Sequence, residues 1–234
     1  LICSANLINE CIKQNTKVVF TSSMAVYGEQ EPPFTEDKRL QPIDPYGIAK
    51  YAVECDLKLA HEQFGLRYNI VRPHNVLGIY QNIWDRYRNV IGIFIRKTLN
   101  GIPILVYGDG EQTRAFSDIK YYMEPFDLLH NEFDGEIFNI GADKYFSLNE
   151  VAETVQKVGK KYGYEVPIEH GEPRHEVKHA YCDHTKAKTM LKFQDGTHLE
   201  ELVETIFVWA MKQPNRKVKD MEYEVTKDIY DYWK

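Results

Sequence analysis

Tyr46 and Lys50 stand four positions apart in Tyr46-Gly47-Ile48-Ala49-Lys50. On a helix that spacing puts both side chains on one face, where an ammonium stabilises a phenolate. A tyrosine, with an ordinary pKa of about 10, then becomes a base able to take a hydroxyl proton near neutral pH. The pair alone is not specific. Tyr223/Lys227 and Tyr230/Lys234 repeat it, and a solvated tyrosine beside a surface lysine has the same spacing.

Neighbouring segments sharpen the reading. Upstream, the apolar run Val18-Val19-Phe20 leads into Thr21-Ser22-Ser23-Met24-Ala25-Val26-Tyr27-Gly28. This places hydroxyls at the carboxyl end of a strand, where open α/β sheets bind ligands. Downstream, a second strand runs into Val71-Arg72-Pro73-His74-Asn75-Val76-Leu77-Gly78. Three sheet-edge segments in this order are far more specific than the tyrosine and lysine by themselves.

Positioning these groups requires alternating helices and strands. Leu1, Ile2, Leu7, Ile8, Cys11 and Ile12 follow helical spacing to about residue 14, and residues 17–21 read as a strand. Residues 29–45, with Pro32, Pro33, Pro42 and Pro45, form a loop; residues 46–64 form an amphipathic helix ended near Gly65. Strands are predicted at 68–72, 104–107 and 136–140, and a helix at 89–99. Capping boxes at Ser147/Glu150 and Thr197/Glu200 start two further helices. The expected fold is α/β with a largely parallel sheet covered by helices.

Composition limits the function classes. The 234 residues are 43% apolar and 27% charged, which is ordinary for a soluble globular protein. Thirty-five acidic against 29 basic residues give a net charge of -6, so no basic field points to nucleic acid and an anionic ligand must meet a few local cations. No apolar run reaches the roughly 18 residues of a membrane span, and no signal peptide is recognisable. Cys3, Cys11, Cys55 and Cys182 are scattered without metal-ligand spacing, so thiols, no metal and a cytoplasmic location are expected. His61, His130, His175, His179, His184 and His198 show no partner pattern and read as surface or satisfied histidines.

The segments TSSMAVYG (21–28), PYGIAK (45–50) and VRPHNVLG (71–78) resemble the extended short-chain dehydrogenase/reductase family. Together with VYGDGEQTR (106–114) and FNIG (138–141), they are similar to its NAD-dependent nucleotide-sugar epimerases of the UDP-glucose 4-epimerase type. The likeness covers most of residues 1–212 and is densest in the first 115. It implies the second half of a Rossmann-type sheet (1–78 and 113–146) with a smaller C-terminal α/β substrate domain (79–112 and 147–234). The family's first βαβ unit, with the G-x-x-G-x-x-G turn that cradles a pyrophosphate, has no counterpart. The chain also opens at Leu1 inside a helical pattern. Roughly the first hundred residues of a family member are therefore expected to be missing, and the fragment is expected to be inactive alone.

Position by position, the resemblance implies that Tyr46 is the catalytic base, that Lys50 holds the nicotinamide ribose and lowers the tyrosine's pKa, and that Ser23 bridges Tyr46 and the sugar hydroxyl. Ser22, Pro73 and His74 would lie along NAD. Asn75 would contact the sugar nucleotide, Asn89 and Val90 would pack along it, and Leu105, Val106 and Tyr107 would hold the base. Arg114, and in a compressed segment Arg174, would meet the diphosphate, with Glu176 on the ribose. Ala180 would leave room for an N-acetyl group at the sugar C2. Isolated arginines and strand-spaced apolar residues read equally as solvated surface and plain core.

Family dehydratases and decarboxylases carry a glutamate just after the serine or threonine, where this chain has Met24 and Ala25; this favours 4-epimerisation of a UDP-hexose. After Arg114 the run Ala115-Phe116-Ser117-Asp118 departs from the family pattern, so the following helix is expected to dock differently. The rival reading is a non-catalytic truncated homologue that binds or dimerises. The family's homodimers form through the two helices flanking the triad, and Ala52, Val53, Leu57, Leu59 and Ala60 would supply the apolar surface, although the same residues would serve as ordinary core.

Overall fold

The computed structural model describes residues 1–84, 89–173, 177–214 and 216. Helix α1 (Ile2–Lys13) leads into strand β1 (Val18–Thr21) and a 3-10 turn (Met24–Tyr27). Helix α2 (Pro45–Phe64) starts where the Asp44 carboxylate accepts the Gly47 N–H at 2.7 Å and Pro45 presets the first turn; it ends at Gly65 in the left-handed region. Strands β2 (Tyr68–Pro73) and β3 (Val76–Leu77) follow, then α3 (Val90–Leu99), β4 (Ile104–Tyr107), β5 (Thr113–Ala115) and β6 (Ser117–Asp118). The remainder is α4 (Met123–Asn131), β7 (Glu136–Ile140), β8 (Tyr145–Ser147), α5 (Leu148–Lys161), β9 (Ile168–Gly171), β10 (His179–Ala180), α6 (Thr185–Met190) and α7 (Leu199–Met211).

Strands β1, β2 and β7 form a parallel sheet in that order, running from Val18 beside Tyr68 to Pro73 beside Ile140. Strand side chains alternate between faces. Ile70 joins Ile8, Cys11, Val53, Leu57 and Ala60 of α1 and α2, while its neighbour Val71 joins Leu129, Phe138, Ala187 and Leu191 on the side of α4 and α6. Val53, Leu57 and Ala60 are therefore interior and serve as core, the second of their two expected places; Leu59 is the exposed member of that set. A second core joins α3, α5 and α7 to β4 through Ile91, Phe94, Ile104, Val106, Val155 and Phe207.

The Ser147 capping box forms as expected, with the Ser147 hydroxyl and Glu150 carboxylate exchanging bonds with each other's backbone N–H. The one expected at Thr197 does not. Thr197 Oγ1 instead accepts the Asp118 N–H at 3.1 Å, and α7 begins two residues later without a side-chain cap. A local motif has here lost to a tertiary partner. The late aromatics Tyr223, Tyr230, Tyr232 and Trp233 lie outside the described residues. No helix among the described residues is long and apolar enough to cross a membrane.

Candidate active site

Strands β1 and β2 run parallel, so Thr21-Ser22-Ser23 and Pro73-His74-Asn75 leave the sheet at one carboxyl edge. Helix α2 lies close over the first of these segments. A Cβ on the buried Gly47 would sit 2.7 Å from the Ala25 carbonyl oxygen, so only glycine lets the helix approach the 3-10 turn this closely. One turn on, Lys50 Nζ donates to the Thr21 carbonyl at 2.7 Å and lies 5.7 Å from the Tyr46 ring centroid. Burial pulls Lys50 below the usual lysine range. Tyr46 is 54% exposed and stands at the open end of the helix. Ser23 is buried, and its Oγ accepts the Ala25 N–H at 3.2 Å, leaving the hydroxyl proton to donate elsewhere. A phenol, an ammonium and a hydroxyl thus lie near one strand end.

Beneath them lies a polar network that sequence reasoning missed. Glu54, one helical turn beyond Lys50, is fully buried. Its Oε1 accepts Ser22 Oγ–H at 2.5 Å and Arg72 Nε–H at 3.0 Å, and its Oε2 accepts Arg72 Nη2–H at 2.7 Å. Arg72 Nη1 donates to the Tyr27 phenol oxygen at 2.8 Å, and that phenol donates onward to Asn139 Oδ1 at 2.8 Å. Burial pushes the Tyr27 phenol above its ordinary range, with Arg72 opposing the shift. For Arg72 burial works against the charge, but the bonds to Glu54 and Tyr27 outweigh it and raise its pKa. The available signal was a glutamate among the apolar positions of an amphipathic helix and an arginine inside an apolar strand, two charges that require each other once buried.

The other candidates divide into two groups. His74 is buried; its carbonyl accepts Ser117 Oγ–H at 3.0 Å, and the exposed Asn75 donates from Nδ2 to the Ala115 carbonyl at 2.8 Å. That bond ties the carboxyl edge to β5, where Arg114 donates to the Thr113 and Lys178 carbonyls at 2.9 and 3.1 Å and pairs in register with Ala180 of β10. Ala180 is 5% exposed and packs with Val26, Tyr27, Phe34 and Cys182, so its side chain faces an apolar cluster rather than open space. In β4, Leu105 and Tyr107 are half-buried on the face opposite the fully buried Val106. Val106 belongs to the apolar core, the plain-core reading of these strand residues. Asn89 bonds Gln81 at the start of α3, with Val90 packed against the helical core. Arg174 and Glu176 lie outside the described residues.

His184 is a satisfied, buried histidine. Its Nε2 is 3.0 Å from that of His74 and its Nδ1 is 3.3 Å from Asp143 Oδ1. Among the described residues no group of three or more His, Cys, Asp and Glu is placed to hold a metal ion.

A family model described as the NAD dependent epimerase/dehydratase family matches residues 1–141. The chain is 33% identical over 221 residues to a UDP-N-acetyl-alpha-D-glucosaminuronate decarboxylase of Bacillus cytotoxicus, covering 90% of this chain and 68% of that one. It is 34% identical over 203 residues to a putative UDP-glucose 4-epimerase of Methanocaldococcus jannaschii, covering 86% and 64%. Among solved structures, the UDP-glucose 4-epimerase of Thermotoga maritima with UDP-glucose superposes with a TM-score of 0.81 at 31% identity, covering 90% of this chain and 68% of that one. The chain thus spans about two thirds of the length of these relatives.

Proposed function

The chain belongs to the NAD dependent epimerase/dehydratase family, and we propose that it supplies the proton-transfer and sugar-binding part of an NAD-dependent epimerase acting at C4 of a nucleotide sugar. UDP-glucose and UDP-galactose are the first substrates to test, and UDP-N-acetylhexosamines the second. The observation that carries this reading is the convergence of Tyr46, Lys50 and Ser23 on one strand end, with Lys50 Nζ bonded to the Thr21 carbonyl.

These residues fit the nicotinamide end of a dinucleotide. Lys50 Nζ has three donors and spends one on Thr21, leaving others for ribose hydroxyls. NAD, when bound there, would supply a reversible hydride acceptor facing the sugar C4. Tyr46 takes the C4 hydroxyl proton and gives it back, the Lys50 ammonium favours the phenolate, and the Ser23 hydroxyl hands the proton between sugar and phenol. Arg114 on β5 would meet the diphosphate, with Arg174 as the second arginine. Residues 1–78 and 113–146 serve NAD, and residues 79–112 and 147–234 serve the sugar nucleotide.

Epimerisation is favoured over the decarboxylation named for the Bacillus relative. Met24 and Ala25 open the 3-10 turn after Ser23 and offer no carboxylate for further acid–base work. The sequence has no G-x-x-G-x-x-G turn, so residues 1–234 alone would not grip the pyrophosphate. The test is interconversion of UDP-glucose and UDP-galactose by the complete product of the encoding gene, with residues 1–234 alone as comparison. Turnover by the former, abolished in Tyr46→Phe, is expected; undiminished turnover in Tyr46→Phe would overturn the assignment.

A second reading rests on α1, where Ile2 is 79% and Leu7 59% exposed. This apolar face suits homodimerisation beside α2, which light scattering with and without UDP-sugar would detect.

A further inference from the structure

We infer that Glu54 is a positioning residue for the proton-transfer site: its buried carboxylate, braced by Arg72, sets the Ser22–Ser23 segment against α2 so that Ser23 and Tyr46 face the same reacting oxygen. The inference rests on the reading of Tyr46, Lys50 and Ser23 given above.

The site is assembled from two separate pieces of chain. Tyr46 and Lys50 ride on α2, whereas Ser23 hangs from the end of β1. Proton transfer between them requires hydrogen-bond contact, and a displacement of about 1 Å is enough to cost orders of magnitude in rate. Three contacts hold the pieces together at one-turn intervals along α2. Gly47 fits under the Ala25 carbonyl, Lys50 reaches the Thr21 carbonyl, and Glu54 takes the Ser22 hydroxyl.

The first contact is steric, and Lys50 is itself a member of the site. Glu54 is thus the contact free to act only on position. It is also directional, because the carboxylate is pinned in its plane by the bidentate Arg72 guanidinium. Arg72 in turn belongs to β2, the central strand of the three-stranded sheet. The ion pair therefore references the helix and the serine segment to the buried central strand of the sheet. A buried ion pair is a poor source of stability compared with apolar side chains of the same volume. Its retention directly under Ser22 is accounted for by register.

The test separates position from stability. Glu54→Met combined with Arg72→Met removes both charges together and keeps the volume, while Ser22→Ala removes the hydroxyl that donates to Glu54. In the complete gene product, both variants are expected to retain the wild-type Tm within a few degrees, to lose about tenfold or more in kcat with KM nearly unchanged, and to show a shifted basic limb in the pH profile. Glu54→Asp, with Arg72 intact, is expected to recover less than the wild-type rate because the shorter carboxylate cannot reach both partners. Wild-type kcat and pH profile in a stably folded double variant, or in Ser22→Ala, would overturn the inference.

If the wild-type protein turns over no nucleotide sugar, the proposed function fails and the positioning claim is read separately. Amide hydrogen exchange in residues 1–234 then decides it. The Ala25 and Val26 amides are expected to exchange about tenfold faster in Ser22→Ala, with the α5 amides unchanged. Equal protection in wild type and variant would sink the positioning role.

Discussion

The Nε2 atoms of His74 and His184 lie 3.0 Å apart, joining the carboxyl end of β2 to the start of α6. With His184 Nδ1–H donating to Asp143, His184 Nε2 is the acceptor and His74 Nε2–H the donor. His74 Nδ1 is then a buried lone pair without a hydrogen-bond partner. Both rings are buried and held below the ordinary histidine range, His74 by burial and then by the neighbouring His184, and His184 by burial against the opposing pull of Asp143.

This pair is expected to make stability fall on mild acidification. Because both folded-state values lie below the ordinary 6.5, the unfolded chain binds more protons as the pH drops beneath it. Stability is expected to be level above pH 7, then to fall by up to about 1.4 kcal/mol per pH unit for each histidine. Asp143, Lys188 and Asp183 also face His184, and none of these charges changes between pH 7.5 and 5.5 in the unfolded chain. Urea midpoints measured across that interval check the slope, and His184→Gln should flatten it.

Gly141 lies against the His74 ring. A Cβ there would come within 2.8 Å of three ring atoms. Gly141→Ala is expected to cost about 1–3 kcal/mol by overpacking, read from denaturant unfolding. Gly135→Ala, with no atom within 4 Å of its Cβ but φ at +78°, should cost only the smaller backbone strain, about 1 kcal/mol.

Arg72→Met alone leaves the Glu54 carboxylate buried and uncompensated, at an expected cost of about 3–5 kcal/mol. Adding Glu54→Met should restore most of that loss. The two denaturation midpoints check the non-additivity, which is required of partners in direct contact.

Tyr46→Phe removes only a hydroxyl from a 54% exposed side chain. Its effect on stability should stay within about 0.5 kcal/mol, while turnover by the complete gene product should fall by at least about 10²-fold. A thermal melt and a coupled assay on the same sample separate the two effects.

Ser147→Ala should cost about 1 kcal/mol by removing a formed capping box. Thr197→Val removes the oxygen that accepts the Asp118 N–H and leaves that donor unpaired, about 1–3 kcal/mol. The first loss should speed amide exchange within α5. The second should act at the Ile119–Tyr122 turn, not in α7.

Local signals made much of the molecule legible in its sequence. Residues 104–107 and 136–140 are strands as read, and α2 differs by one residue at its start because Asp44 and Pro45 fix the first turn. Short strands were not legible. The two-residue β3, β6 and β10 exist through pairing with distant partners, as Val76 pairs with Ser117 and Ala180 with Arg114. Segments that short carry no periodicity for a pattern to reveal.

What the sequence alone determined is which chemical groups share a helix face or a strand end and where they sit along the chain. A phenol and an ammonium one helical turn apart, and hydroxyls where a strand ends, follow from covalent spacing and backbone geometry. What only the tertiary structure decided is which distant groups share the interior. Glu54 meets Arg72 and Ser22, His184 meets His74, Thr197 meets Asp118 instead of its own helix, and Val53 and Leu57 turn inward. Each of these follows from burial: apolar Val53 and Leu57 leave water, while a charge or polar atom removed from water is stabilised by a partner wherever the chain brings one, and sequence separation places no limit on where that partner lies.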